Sequence, residues 1–393
     1  MAMKDKIASL PQDIIIDILK RLPVKSLLRF QCVCKDWKNL FKTQFFIKEH
    51  LRHSTHHPNP PLVLQWRPNQ YPRRLGRNES LSNDLYRFGL LDHDLQLQTL
   101  QVHQKAPFLD SCTYARILDS SNGLFCVEIY GCDLFPRCFL LWNPAIREFK
   151  QVNTIKPLDT TSHYCIGFGF NPLLNDYKIV IIYVKYDVVN RVQVYSLCSG
   201  SWKEIEFGNL EGIMRGSNAI SVNGALYWMW YKMDVENHDG YDPTLIVSFD
   251  IETEVFTFIP IPLSGFNNNY ELSLFDNKLA LLCDCMTTQY CVELWVLEEG
   301  ASASREKWNW TKKYTGCPYS CNLYPMAIWK NEIVFRPRRI EYPIKTITSI
   351  YLFNLTTNEL REFPIPKYYD LCRIFNHVES LISIENLHIE GSL

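Results

Sequence analysis

The chain has 393 residues, with 41 Lys and Arg against 42 Asp and Glu, and it is 47% hydrophobic and 13% aromatic. That balance describes a folded, water-compatible protein, and its apolar stretches are too short and interrupted to cross a bilayer as helices. Fourteen cysteines, with no apolar leader and small-residue cleavage site ahead of them, point to reduced thiols and a cytoplasmic location, with the nucleus as the alternative.

The first fifty residues carry the densest signal, LPQDIIIDILKRLPVKSLLRFQCVCKDWKNL. Ser9, Pro11 and Gln12 read as a helix start: a hydroxyl cap, a proline in the first turn, and an amide three residues after the cap. Ile14, Ile15, Ile18, Leu19 and Leu22 then form one apolar stripe, with Asp13, Asp17, Lys20 and Arg21 opposite. Pro23 stops this helix, and the spacing predicts two more over residues 26–30 and 35–41, the second bringing Trp37 and Leu40 to the same side. Three helices in so few residues cannot enclose a core of their own, so the unit is built to dock. Residues 1–50 hold ten basic side chains against five acidic ones, whereas the rest of the chain is mildly acidic. A basic head favours an acidic protein partner; nucleic acid fits less well, because no basic run in the head exceeds two residues.

The order Leu10-Pro11, Ile/Leu stripe, Leu22-Pro23-Val24-Lys25-Ser26-Leu27, Val33-Cys34-Lys35 and Trp37 resembles the F-box of plant F-box proteins. The resemblance implies docking on a Skp-type adaptor, which joins a cullin and a RING subunit in an SCF ubiquitin ligase. It assigns the adaptor contact to Leu10, Pro11, Ile14, Ile15, Ile18, Leu22, Pro23, Leu27, Val33, Cys34 and Trp37.

Residues 51–60, LRHSTHHPNP, lose the apolar periodicity and read as a linker between this head (1–50) and a body spanning 61–393. The body reads as strand after strand, rich in Val, Ile, Tyr, Phe and Trp. Turn residues recur at Asn122-Gly123, Asn175-Asp176, Asn223-Gly224, Asn277-Lys278, Asn331-Glu332 and Asn376-His377. A second series, WNPAIREF, YSLCSGSW, FDIETEVF and FNLTTNEL, is offset from the first, with degenerate copies around Leu91–Leu97 and Leu294–Trp310. About six hairpin copies at a period of roughly fifty predict a propeller of four-stranded blades. Residues 61–66 are expected to complete the last blade near Ile382–Ile384, and a β-sandwich is the competing architecture. The fold class is therefore α+β multidomain, a three-helix head followed by an all-β propeller-like body of about six blades.

LLWNPAIREFKQV, IGFGFNPLLNDYKIV, VYSLCSGSWKEI and ELWVLEE resemble the F-box-associated domain of plant F-box proteins, the arrangement being similar to the S-locus F-box group. The resemblance implies a substrate receptor that captures a protein for ubiquitination and proteasomal degradation. Its S-locus branch implies S-ribonuclease in pollen self-incompatibility as the target. A non-degradative propeller scaffold for a protein or glycan is the alternative.

Catalytic motifs do not emerge: there is no GxSxG, HExxH, P-loop or dinucleotide fingerprint. The chain reads as a non-catalytic receptor without cofactor or metal. Cys283-Asp284-Cys285 and Cys317 with Cys321 lack the repeated spacing of a zinc site, and Gly167-Phe168-Gly169 reads as close packing rather than a phosphate loop. For target capture, the acidic stretch 233–243 offers Asp234, Glu236, Asp239 and Asp242, and a smaller patch offers Asp92 and Asp94. Arg336-Pro337-Arg338-Arg339 has the opposite sign and reads either as a site for an acidic target or as protection of an edge strand.

Overall fold

A computed structural model describes residues 10–55, 61–68, 87–91, 96–100, 112–131, 138–153, 163–185, 188–207, 219–233, 241–262, 268–286, 290–298, 308–316, 323–337, 349–365 and 369–385. The head contains helices α1 (Gln12–Leu19), α2 (Val24–Phe30), α3 (Lys35–Leu40) and α4 (Gln44–Thr55). Pro11 and Pro23 sit at the N-caps of α1 and α2, with extended ψ of 144° and 146°. Neither cap makes a side-chain hydrogen bond. Ser9, expected as the hydroxyl cap, lies outside the described residues. Proline fits this position because it supplies a carbonyl to the first turn while lacking the N–H that would go unpaired; the Pro11 carbonyl accepts from the N–H groups of Ile14 and Ile15.

The fourth helix corrects the three-helix expectation and shortens the linker, because residues 51–55 are its last turn. Helix α4 is anchored by two fully packed residues, Phe46 and Ile47, which the amphipathic pattern of residues 1–41 does not announce. His50, also buried, points its Nε2 at the Leu22 carbonyl 3.0 Å away, so this nitrogen carries the donated proton.

The body is a ring of six four-stranded antiparallel sheets. The first four complete blades in chain order are β4–β7 (Cys112–Ser121, Leu124–Gly131, Cys138–Asn143, Glu148–Asn153), β8–β11 (His163–Asn171, Asp176–Lys185, Val188–Ser196, Ser201–Ile205), β12–β15 (Ile220–Val222, Ala225–Met233, Tyr241–Asp250, Phe256–Pro260) and β16–β19 (Asn268–Phe275, Lys278–Met286, Tyr290–Glu298, Asn309–Gly316). A fifth is β20–β23 (Leu323–Trp329, Glu332–Pro337, Ser349–Asn354, Leu360–Pro364). The sixth is composite: β1 (Leu62–Pro68), β2 (Arg87–Leu91) and β3 (Leu97–Leu100) join the C-terminal β24 (Tyr369–Asn376) in the order β24-β1-β2-β3. The ring is thus closed by hydrogen bonds between the two ends of the body, which removes an open edge.

Sequence expectation and structure differ at this closure. Leu62–Pro68 pairs with Tyr369–Asn376, not with 382–384, and Asn376 is the end of a strand rather than a hairpin turn. The His377 N–H donates to the Pro61 carbonyl at 2.9 Å, extending the seam by one residue.

Both repeat series have local physical causes. In the first, Asn122, Asn175, Asn223 and Asn277 adopt φ of 49–57°, the left-handed turn conformation that Asn tolerates; in the fifth copy Lys330 takes that role instead of Asn331. In the second, the side-chain oxygen of Asn143, Asp250 and Asn354 accepts a backbone N–H two residues on. The Ser196 hydroxyl accepts from Ser199, and the residue four positions after each of these starts (Arg147, Gly200, Glu254, Asn358) has φ of 58–64°. The large residue two further on re-enters the blade: Phe149 is paired opposite Trp142, and Trp202 opposite Tyr195. Blades are glued by apolar clusters that cross their boundaries. Gly167 and Gly169 permit one such approach, since a Cβ on Gly167 would stand 2.5 Å from the Trp228 ring.

Candidate adaptor-docking surface and target rim

The head is not tethered loosely. Leu19, Val24, Leu27, Phe41, Phe46 and Ile47 share one buried cluster with Leu118, Leu124, Leu141, Phe168 and Tyr177 of the first two blades and with Leu381, Ile382 and Ile384 of the tail. Polar contacts fix the same joint. The Val24 N–H donates to Glu379, the Ile384 N–H to Glu148, and the buried Asn143 amide donates to the carbonyls of Ser380 and Ile382. Each fully buried aliphatic side chain here contributes about 1.5–3 kcal/mol, which a forty-residue helical unit cannot collect alone.

This packing splits the apolar stripe in two. Leu10, Ile14, Ile18 and Val33 are 56, 47, 48 and 63% exposed, and Pro11, Pro23 and Cys34 are exposed too. Ile15, Leu22 and Trp37 are half-buried against the head–body cluster. Leu27 is fully buried, so its expected adaptor contact is corrected: it packs the inside of the joint. The cause is angular, since Ile14 and Ile18 are separated by one turn while Ile15 and Leu19 follow about 100° around the helix. Cys34 also caps α3, its Sγ accepting from the Trp37 N–H. An aromatic file, Phe30–Trp37–Phe41–Phe46–His50, with ring centroids 5.1–6.5 Å apart, holds α2, α3 and α4 together. Phe45, 61% exposed on α4, is an apolar surface residue that the sequence pattern did not single out.

Charge on the exposed face is arranged locally. Asp17 bridges Lys20 and Arg21 at 2.8 Å each, and the Lys20 hydrogen bond leads in holding its carboxyl below the usual range. Burial lowers the pKa of His50 and keeps it neutral at the joint.

Strand direction then decides which rim is open. Helix α4 faces the turns at Asn122, Asn175 and Asn223–Gly224, which join the first and second strands of three consecutive blades. Connections between second and third strands fall at the opposite rim, where Met233 and Tyr241 pair at the end of their hairpin. Of the expected target residues, Asp234, Glu236 and Asp239 lie outside the described residues, between those two strand ends. Asp242 belongs to β14, paired opposite Lys232, which corrects its placement in a loop. Asp92 and Asp94 also lie outside the described residues.

Arg336 belongs to β21, an inner strand of its blade between β20 and β22, which corrects the edge-strand reading for this arginine; Arg338 and Arg339 lie outside the described residues. Arg336 lies 5.0 Å over the Tyr324 ring, where the Tyr324 hydroxyl donates to Glu271 at 3.2 Å. These residues, with Asp119 and Arg373, line a 270 Å³ cavity along the ring axis. Glu271 is reached through the channel yet ringed by protein, and burial pushes its carboxyl up to about 7 against the Tyr324 hydrogen bond and the nearby arginines. Burial likewise pushes Asp119 upward. This cluster is absent from the sequence reading, because its members are far apart in the chain and meet only when six inner strands converge.

Comparison with known proteins agrees with this architecture. Residues 7–49 match the family model for the F-box domain, and residues 80–384 match that for the F-box associated beta propeller domain. The chain belongs to the F-box associated β-propeller family. Two Arabidopsis thaliana proteins provisionally named as F-box proteins are similar: one is 29% identical, covering 76% of each chain, and the other 28% identical, covering 95% of this chain and 90% of its own. An F-box protein of the same plant is 26% identical, covering 95% of this chain and 91% of its own. Among solved structures, Kuenenia stuttgartiensis hydrazine synthase aligns at TM-score 0.46 and 8% identity, covering 82% of this chain and 47% of that one, a likeness too distant to bear on function. An F-box joined to a propeller implies the substrate-receptor role of an SCF complex, with a Skp-type adaptor on one side and a protein substrate on the other. Proteins of this build are typically non-catalytic.

Proposed function

We propose that this chain delivers a protein target to a cullin–RING ubiquitin ligase for degradation, holding the Skp-type adaptor on the outer face of α1 and the target on the rim away from the head. The observation that carries the reading is the divided stripe. Leu10, Ile14, Ile18 and Val33 stay exposed on a head whose other side is fused to the propeller, leaving an apolar surface of the kind that marks a partner site. The rigid joint supports positional delivery, since a target held at fixed distance from the charged conjugating enzyme gains effective concentration. The acidic segment between β13 and β14 favours a basic target, and S-ribonuclease is the target class proposed for it. Cytoplasm, where reduced thiols persist, is the proposed site of action.

The test is affinity capture from floral tissue under proteasome inhibition, comparing the intact chain with the Ile14→Asp/Ile18→Asp variant by mass spectrometry. Adaptor and cullin recovered only with the intact chain, beside body-bound proteins common to both, support the receptor reading. Equal recovery of adaptor by both variants overturns it, and a body-bound set without basic secreted ribonucleases overturns the S-ribonuclease assignment. A target whose abundance does not rise under proteasome inhibition overturns degradation in favour of a scaffold.

A further inference from the structure

We infer that the cavity between α4 and the head-side rim is a binding site for a small apolar anion, of the chemical class of a medium-chain or aromatic carboxylate. The cavity encloses 460 Å³, within the 300–1,000 Å³ typical of small-molecule sites. Its charge is of one sign. Lys42, just before α4, and Lys48 and Arg52 on it line the head side, and among the described residues no Asp or Glu lines a wall. Arg52 is engaged by Glu49 at 2.9 Å, whereas Lys42 and Lys48 have no ion-pair partner among the described residues. Leu51, Phe170 and Ile382 supply apolar wall.

Tyr177, 1% exposed and with its hydroxyl buried beside Asn122, adds aromatic wall on the blade side. Cations on one wall and apolar surface on the others together select a ligand with a carboxylate at one end and apolar bulk behind it. A cation is repelled by the lysines, and a neutral ligand of equal bulk forgoes the charge-assisted hydrogen bonds. Because the walls come from the head on one side and from three blades on the other, an occupant would bridge the joint.

The inference does not depend on the ligase reading and is tested on the full chain alone. Calorimetric titration with octanoate, 1-octanol and octylammonium should give one saturable octanoate site, at least tenfold tighter than octanol, with octylammonium weakest. Lys42→Glu/Lys48→Glu should weaken octanoate at least tenfold while leaving octanol within twofold. Leu51→Trp, which fills the cavity from α4, should abolish both, its fold being checked by an unchanged circular dichroism spectrum. If Leu51→Trp does not fold, Thr55→Trp at the exposed end of α4 replaces it as the filling variant. Octanoate binding no tighter than octanol, or insensitive to the charge reversal and to the filled cavity alike, overturns the inference.

Discussion

The divided stripe makes a prediction in which stability and binding move separately. Replacing Ile14 and Ile18 by Asp alters side chains that are about half exposed and outside the buried cluster, so the fold should lose less than about 1 kcal/mol, as surface substitutions usually do. Adaptor binding should fall steeply. Each isoleucine forfeits roughly 1 kcal/mol of remaining apolar burial, and each new carboxylate placed against an apolar partner surface adds a desolvation cost of about 1–3 kcal/mol. The double variant should therefore lose at least about 4 kcal/mol of binding, on the order of a thousandfold or more in Kd. Leu27→Ala should do the reverse. It opens a cavity inside the head–body cluster, costing about 2–5 kcal/mol of stability, while adaptor affinity of the folded protein stays within a few fold. Surface plasmon resonance against purified adaptor, paired with urea titration of each variant, separates the two. If Leu27→Ala weakens adaptor binding as much as the isoleucine pair without lowering the urea midpoint, the assignment of inner and outer faces is wrong.

Two further perturbations probe the ring. His377 stacks on Phe125 at 4.8 Å, and burial lowers its pKa to about 4 from an ordinary 6.5. The unfolded chain therefore takes up this proton first, so the contribution is intact above about pH 6.5 and is lost as pH falls toward 4; at pH 5 the loss is about 2 kcal/mol. Glu271, pushed up to about 7, has the opposite sign, losing stability as pH rises between its ordinary range and 7. The measurement is accordingly the difference between the wild type and His377→Phe in urea titrations at pH 8 and pH 5, and a difference that does not change with pH refutes the assignment. Glu128, fully buried, accepts from Arg116 at 2.7 Å and from the Tyr164 hydroxyl of the next blade at 2.6 Å. Glu128→Ala removes its charge-assisted hydrogen bonds to both partners at once and should cost about 3 kcal/mol, whereas Tyr164→Phe should cost about 1 kcal/mol; chemical denaturation at neutral pH reads both, and equal losses would refute the hierarchy.

Much of this fold is written locally and could be read without coordinates. The turn at Asn223-Gly224 and the Asx turn beginning at Asp250 each depend on a handful of adjacent residues, so their recurrence revealed the blades and their count. The head was legible for the same reason, through Pro11, Pro23 and the isoleucine spacing. What escaped were features decided by distant partners. Nothing near Leu27 distinguishes it from Ile18; only the arrival of Leu381, Ile382 and Ile384 from the far end of the chain makes one a core residue and leaves the other exposed. Helix α4 escaped similarly, because its anchors Phe46 and Ile47 are buried by the same joint rather than by an amphipathic pattern of their own. The axial group of Asp119, Glu271, Tyr324 and Arg373 comes from four different strands and has no sequence signature at all.

The joint also constrains how the two halves can work together. A flexible linker would let target and adaptor sample many separations, with an effective concentration set by linker length. Here the tail 377–385 is wedged between head and ring, tied by Asn143 and Glu148 on one side and by Glu379 to the start of α2 on the other. Loosening the tail therefore disturbs the head and the ring together, and residues at this seam affect receptor geometry without touching either partner. Because α4 covers the head-side turns, the opposite rim is the side on which target contacts can vary without disturbing the adaptor. A single rigid scaffold can then accept different targets through changes confined to connections such as 234–240, while the buried seam and the outer face of α1 stay unchanged.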